Sequence, residues 1–156
     1  MIISDATVLI TLINIDEFDV LKLFIDQVII PDEVYHEVSR TASAKRYLNH
    51  EIDSCFTQVA QYQDKQLFKD INYILDDGES ASVTLALERK LPLIIDEKKG
   101  RRFAQQLGVE IIGLVGILRF LYRDGRLSEA ETIEIVKKLN DSNFRISPDL
   151  LDLILA

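Results

Sequence analysis

Short apolar runs that end on a carboxylate constrain this chain most. Met1-Ile2-Ile3-Ser4-Asp5 and Leu93-Ile94-Ile95-Asp96 share one design: an apolar run, an aspartate, then a helix-like segment. Uninterrupted apolar runs of this length suit strands covered on both faces, as in a parallel sheet. In such a sheet all strand C-termini open on one edge, and sites form there where the strand order reverses. Two aspartates delivered to that edge by two strands form the start of a divalent-metal site.

The rest of the chain repeats the alternation. Ala6 to Asn14 is an apolar helix, and Asp16 to Asp26 places Phe18, Leu21, Phe24 and Ile25 near one face. Val28 to Ile30 is a strand stopped by Pro31, and the proline opens a helix over Asp32 to Arg40. Thr41 to Asn49 is small and polar, then helix-compatible; Phe56 to Ala60 is a strand with poor alternation; Asp64 to Asp70 is a short helix. From Asp76 the signals sharpen. Asp76 and Glu79 stand three apart ahead of an apolar stretch, which is helix-start chemistry, and the helix runs to about Lys90. After the strand at Leu93 to Ile95 comes a basic amphipathic helix, Asp96 to Leu107, ended by Gly108. Val109 to Ile112 is a further strand. Helices follow over Gly113 to Arg123, over Glu129 to Leu139 with Ser128 and Glu131 as a capping box, and over Asp149 to Leu155. Strands alternating with helices give a single domain, residues 1–156, of three-layer α/β class with a mainly parallel sheet.

Composition narrows the function. A net charge of -8 opposes a sequence-independent DNA coat, which needs a strong basic excess. It does not oppose a nuclease, because a carboxylate-rich metal site is itself negative. One cysteine, Cys55, excludes an intrachain disulfide framework and fits a reducing cytoplasm. No apolar run is long enough for a membrane span, and no basic leader precedes a cleavage site, so a cytoplasmic protein is expected. Glycine-rich nucleotide-binding loops and a serine-nucleophile elbow are missing from the sequence.

The chemistry-bearing candidates each have a plain structural alternative. Asp5 and Asp96 are metal ligands or helix caps; Thr7 would steady the first of them. Glu79 is a third site carboxylate or half of a capping box with Asp76. Glu37 borders the buried face of its helix, so it is a solvated rim residue or a member of the site. Glu97 is expected to point away along the helix surface. Lys98, Lys99, Arg101 and Arg102 are a solvated helix face or a phosphate-contacting cluster.

Together these segments resemble the PIN-domain proteins, in particular the compact prokaryotic group related to VapC-type toxin ribonucleases. The matching pieces are Ser4-Asp5-Ala6-Thr7; Ile30 through Val38; Gly78-Glu79-Ser80-Ala81; and Ile95-Asp96-Glu97-Lys98-Lys99-Gly100-Arg101-Arg102-Phe103-Ala104 leading to Leu107-Gly108-Val109. Ile112-Gly113 and Phe144 to Ser147 agree with them. The resemblance implies a Rossmann-like, about five-stranded parallel sheet and Mg²⁺- or Mn²⁺-dependent RNA cleavage. The family's acids fall on Asp5, Glu37, Glu79 and Asp96, and Thr7 matches the supporting position. Of these, Asp5, Glu79 and Asp96 are the expected metal ligands, and Glu37 is expected to orient the attacking water. A further family acid often stands near the last one, where this chain has Glu97 and Lys98. Partners implied are an RNA substrate and an antitoxin protein whose segment enters the acidic groove. A homodimer is also implied, with Leu12 to Leu23 and Leu150 to Ala156 as its apolar candidates. The alternatives are a catalytically weak PIN-like module that binds RNA or protein, and a metal-dependent phosphatase.

Overall fold

In the computed structural model, which describes residues 1–156, five short strands form one sheet. They are β1 (Ile2–Ser4), β2 (Val28–Ile30), β3 (Thr57–Val59), β4 (Leu93–Ile94) and β5 (Ile111–Ile112). Their order is β3-β2-β1-β4-β5, and every pair is parallel. The chain first builds away from β1 on one side, then returns to place β4 and β5 on the other. The strand order therefore reverses between β1 and β4, and the crevice beyond their C-terminal ends is the switch point.

Ten helices cover the sheet: α1 (Ala6–Asn14), α2 (Asp19–Phe24), α3 (Asp32–Val38), α4 (Ala42–Asp53), α5 (Lys65–Asn72), α6 (Asp77–Arg89), α7 (Lys98–Gln106), α8 (Leu114–Arg123), α9 (Glu129–Asp141) and α10 (Pro148–Ile154). The two-residue period of the strands divides the core. Ile2, Val28, Ile30 and Ile94 point to one side and meet Leu9, Leu12, Val34, Leu48, Leu118 and Leu139 from the helices there. Ile3, Ile29, Leu93 and Ile95 point to the other side and meet Ile71, Val83, Leu85 and Ala104. The three-layer arrangement is thus written in the alternation of the strands.

Helix α6 is buried from its first turn, so its hydroxyls must be satisfied internally. Ser82 Oγ donates to the Gly78 carbonyl at 2.8 Å and Thr84 Oγ1 to the Ser80 carbonyl at 2.7 Å. Both expected capping boxes form with both reciprocal bonds, Asp76 with Glu79 and Ser128 with Glu131. Gly108 takes φ +85, the left-handed value a helix end of this kind requires.

Several boundaries differ from the sequence expectation. The helix expected over Asp16 to Asp26 is only Asp19–Phe24, because Asp16 takes φ 58 in the turn after α1 and Ile25 is already extended. The stretch from Thr41 is a helix of 12 residues, started by the Thr41 hydroxyl accepting the Ala44 amide. The basic helix starts two residues later than Asp96, since Glu97 is its cap. Poor alternation over Phe56 to Ala60 is the mark of an edge strand, with Thr57 buried and Gln58 exposed. Most of Leu12 to Leu23 covers the sheet; Leu23, Leu153 and Phe120 remain exposed. No helix is long and apolar enough to cross a membrane.

Candidate active site

Asp5 follows β1 directly, and its amide donates to the Ile94 carbonyl at 2.9 Å, so β4 fixes its backbone. The side chain is buried, only 4% exposed. Burial is the main force that pushes its carboxyl up to about 7; the Ala6 amide opposes this, and the charges of Asp76, Glu37 and Glu97 add to it.

Gly78, in the first turn of α6, marks where three of these acids meet. A Cβ there would lie 3.0 Å from Glu37 Oε2, 3.5 Å from Asp5 Oδ1 and 3.8 Å from Asp76 Oδ1. Three carboxylates from β1, α3 and the cap of α6 thus surround one point, which stays open because the residue has no side chain. Burial first, and then Asp76, raise the Glu37 carboxyl above its ordinary value, against the pull of Arg40.

Glu79 is also buried, 7% exposed, and its carboxyl is pushed up to about 8 by burial and by Asp76 and Asp5. Its Oε2 is buried without a hydrogen-bond partner. That oxygen faces the start of α7, where a Cβ on Gly100 would come within 2.9 Å of it. Glu97 caps α7 by accepting the Gly100 amide at 2.8 Å, and that bond is the main reason its carboxyl is lowered. Its charge acts on both Asp5 and Glu79, so it does not point away from the site as the sequence suggested.

A family model described as a PIN domain matches residues 1–156. The chain belongs to the PIN-domain family. No curated protein matches it. PIN domains are generally nucleases that use divalent metal ions.

The fourth expected PIN acid, Asp96, faces the start of α8. Its carboxylate accepts the Leu114 amide at 3.2 and 3.3 Å and so steadies the start of α8. Burial raises its carboxyl, while the Leu114 amide and Arg101 lower it; no other acid acts on it. The register Ser4↔Ile94 places Asp5 level with Ile95, one residue before Asp96. The two aspartates therefore reach the same edge but face different neighbours.

The basic cluster also divides. Arg101 Nη1 donates to the Ile95 carbonyl at 2.9 Å, which ties it to the sheet edge. Lys98, Lys99 and Arg102 are exposed and form no ion pair with a carboxylate. Thr7 is exposed on α1, in a groove with Asn14 and Asn143, and makes no hydrogen bond to the Asp5 carboxylate. The sequence did not single out Asp76 and Glu97 as site acids. The signal was there in the first case, since Asp76 shares a helix end with Glu79. In the second, Glu97 stands three residues ahead of Gly100, the spacing of a cap that would turn it inward.

The donor set fits a hard divalent cation. Every candidate ligand is a carboxylate oxygen, the type such ions prefer. Burial first, and then their neighbouring charges, push the Asp5 and Glu79 carboxyls up to about 7 and about 8, and one buried oxygen has no donor. A cation would supply the missing positive charge. As folded, no three acidic, histidine or cysteine side chains stand in a ready coordination shell.

Proposed function

We propose that this PIN domain is a divalent-metal-dependent endoribonuclease and the toxin of a toxin-antitoxin pair. The observation that carries the reading is the convergence of Asp5, Glu37 and Glu79, with Asp76 and Glu97, on the switch-point crevice. Asp5 and Glu79 are the groups that would hold the ion, Mg²⁺ or Mn²⁺, with Asp96 supporting from the end of β4. A bound ion of this kind polarises a phosphoryl oxygen and makes its water more acidic. Glu37, at the outer side of the cluster, orients the attacking water through Oε2. Water adds to phosphorus and gives a proton to solvent, the ester bond to the leaving oxygen breaks, and that oxygen takes up a proton from solvent. Lys98, Lys99 and Arg102 hold the flanking phosphates as exposed cations.

The test is cleavage of single-stranded RNA by the purified chain with Mn²⁺ or Mg²⁺. The wild type cleaves and Asp5→Asn does not; equal cleavage by both would refute the assignment. RNA binding without cleavage, at any metal concentration, would favour the binding-module reading.

Partners belong to the same proposal. An acidic crevice accepts a basic side chain from an antitoxin segment in place of the cation. Co-expression of an adjacent small reading frame then relieves growth arrest caused by the chain. A second copy meets the first on the exposed Leu23, Phe120 and Leu153, and sedimentation at micromolar concentration reads that directly.

A further inference from the structure

The acid cluster opens on one side into a cavity of about 990 Å³. It runs between α3 and α5, away from α7. Glu37, Asp76 and Gly78 form its inner end, and Arg40, Tyr62 and Lys65 line it further out. The sequence singled out none of these last three.

The charges of the cavity form no ion pairs with each other. Asp32 Oδ2 accepts from Gln61 at 2.9 Å, and Asp77 Oδ1 accepts from Asn72 at 3.1 Å. Two of the wall acids are thus occupied by neutral donors of the wall itself. Arg40 and Lys65 are exposed, and neither has a carboxylate within ion-pair distance. In a chain of net charge -8, two unpaired cations in one acidic groove are left available for an outside anion.

Tyr62 adds a surface for a base. Its ring stacks on Phe68 with centroids 4.8 Å apart and planes 12° apart. One face is therefore backed, which restrains the ring and lowers the entropy cost of stacking a further ring. Glu88 holds the loop around it, accepting the Gln63 amide at 2.8 and 3.0 Å. A backed aromatic ring sharing one groove with two cations that form no ion pair is the arrangement that binds single-stranded nucleic acid: phosphates on the cations, an unpaired base on the ring.

We propose that the α3–α5 groove binds a single-stranded RNA segment on the side of the reacting phosphate opposite α7. Arg40 and Lys65 contact its phosphates and Tyr62 stacks one base. This rests on the nuclease reading above and extends it: the strand passes from Lys98 and Lys99, over the acid cluster, into this groove. A paired duplex would have no free base for Tyr62, so the substrate is unpaired here. The residues act in binding and positioning, and none touches the reacting atoms.

The experiment measures binding of a fluorescein-labelled, mixed-sequence single-stranded RNA to the full chain carrying Asp5→Asn, in Mg²⁺, by anisotropy across a salt series. Arg40→Ala and Lys65→Ala each weaken binding and each reduce the slope of log K against log salt by about 0.7. Tyr62→Ala weakens binding about tenfold at an unchanged slope, and Tyr62→Phe restores most of it. Duplex RNA of the same sequence binds more weakly than the single strand. Arg40→Ala and Lys65→Ala with wild-type affinity and slope would overturn the groove, as would a Tyr62→Ala protein that binds normally. Wild-type cleavage is followed beside this. If the wild type cleaves and the groove variants match it in KM, the groove alone is wrong. If the wild type neither binds nor cleaves RNA, the nuclease reading falls with it.

Discussion

Asp76 and Glu79 hold each other at the start of α6: the Asp76 carboxylate accepts the Glu79 amide at 2.8 Å, and the Glu79 carboxylate returns to the Asp76 amide at 3.4 Å. The same capping box that starts the helix places two acids within one turn, beside Asp5. Local helix chemistry and the site's electrostatics are therefore one feature here. Asp76 is the largest charge raising the Glu79 carboxyl, so the cap's stabilising bonds and the site's repulsion act in opposition.

A pH dependence of stability follows. The Asp5 carboxyl moves up to about 7 from 3.8, and Glu79 up to about 8 from 4.5. Between the unfolded and folded values the native state holds more protons than the unfolded one, so stability falls as pH rises. The metal-free chain has its higher Tm near pH 5 and its lower Tm near pH 8. Each kcal/mol relieved raises Tm by roughly 2–4 °C in a chain of this size. Mg²⁺ or Mn²⁺ at saturation raises Tm at pH 8 far more than at pH 5. Differential scanning calorimetry checks both trends, and a Tm that rises steadily from pH 5 to pH 8 without metal is incompatible with them.

Two glycines near the acids give opposite outcomes on substitution. A Cβ at Gly78 meets Glu37 Oε2 at 3.0 Å, the free end of a flexible side chain that can move aside. Gly78→Ala therefore leaves Tm within a few degrees but displaces Glu37, with a loss of about tenfold or more in activity. A Cβ at Gly100 meets Ile95 Cδ1 at 2.7 Å and Glu79 Oε2 at 2.9 Å, inside the packed core. Gly100→Ala costs about 1–3 kcal/mol of stability through overpacking. Urea denaturation of the two variants separates the cases.

The cations of α7 divide in the same way. Arg101→Ala leaves the Ile95 carbonyl short of its donor and removes the positive charge beside Asp96, so it costs about 1 kcal/mol of stability and lowers kcat. Lys98→Ala and Arg102→Ala remove exposed charges; they raise KM, weaken its salt dependence and leave Tm unchanged. A steady-state series at two salt concentrations tests this contrast.

Glu97 gives a further prediction. Its charge helps to raise Glu79, so Glu97→Gln lets the Glu79 carboxyl fall and moves the acid limb of the pH–rate profile to lower pH. An unshifted limb would mean that Glu97 acts only as a helix cap.

Much of this architecture was legible in the sequence, for identifiable reasons. Val28 to Ile30 is a strand as read, and the runs read as strands over Leu93 to Ile95 and Val109 to Ile112 form the shorter strands Leu93–Ile94 and Ile111–Ile112, because nothing in their neighbourhood competes with the apolar run as a signal. The capping boxes at Asp76 and Ser128 formed because the spacing of three is a local property. Side-chain direction was harder to read. Asp96 stands where the strand pattern put it, but which neighbour it faces depends on Leu114, eighteen residues on. Arg101 looks like one more exposed cation until the Ile95 carbonyl, just past β4, accepts from it. Arg40, Tyr62 and Lys65 come from three separate segments, and only the packing of α3 and α5 against α6 shows that they share a groove.

The central claim is that these crowded carboxylates bind a divalent cation. Isothermal titration of Mn²⁺ into the metal-free chain at pH 7.5, a pH chosen near about 7–8 where the acids titrate, tests it most directly. The account predicts saturable binding, release of protons that scales with buffer ionisation enthalpy, and loss of both in Asp5→Asn and Glu79→Gln. A wild type with no Mn²⁺ heat, or one whose binding survives both substitutions unchanged, would contradict it.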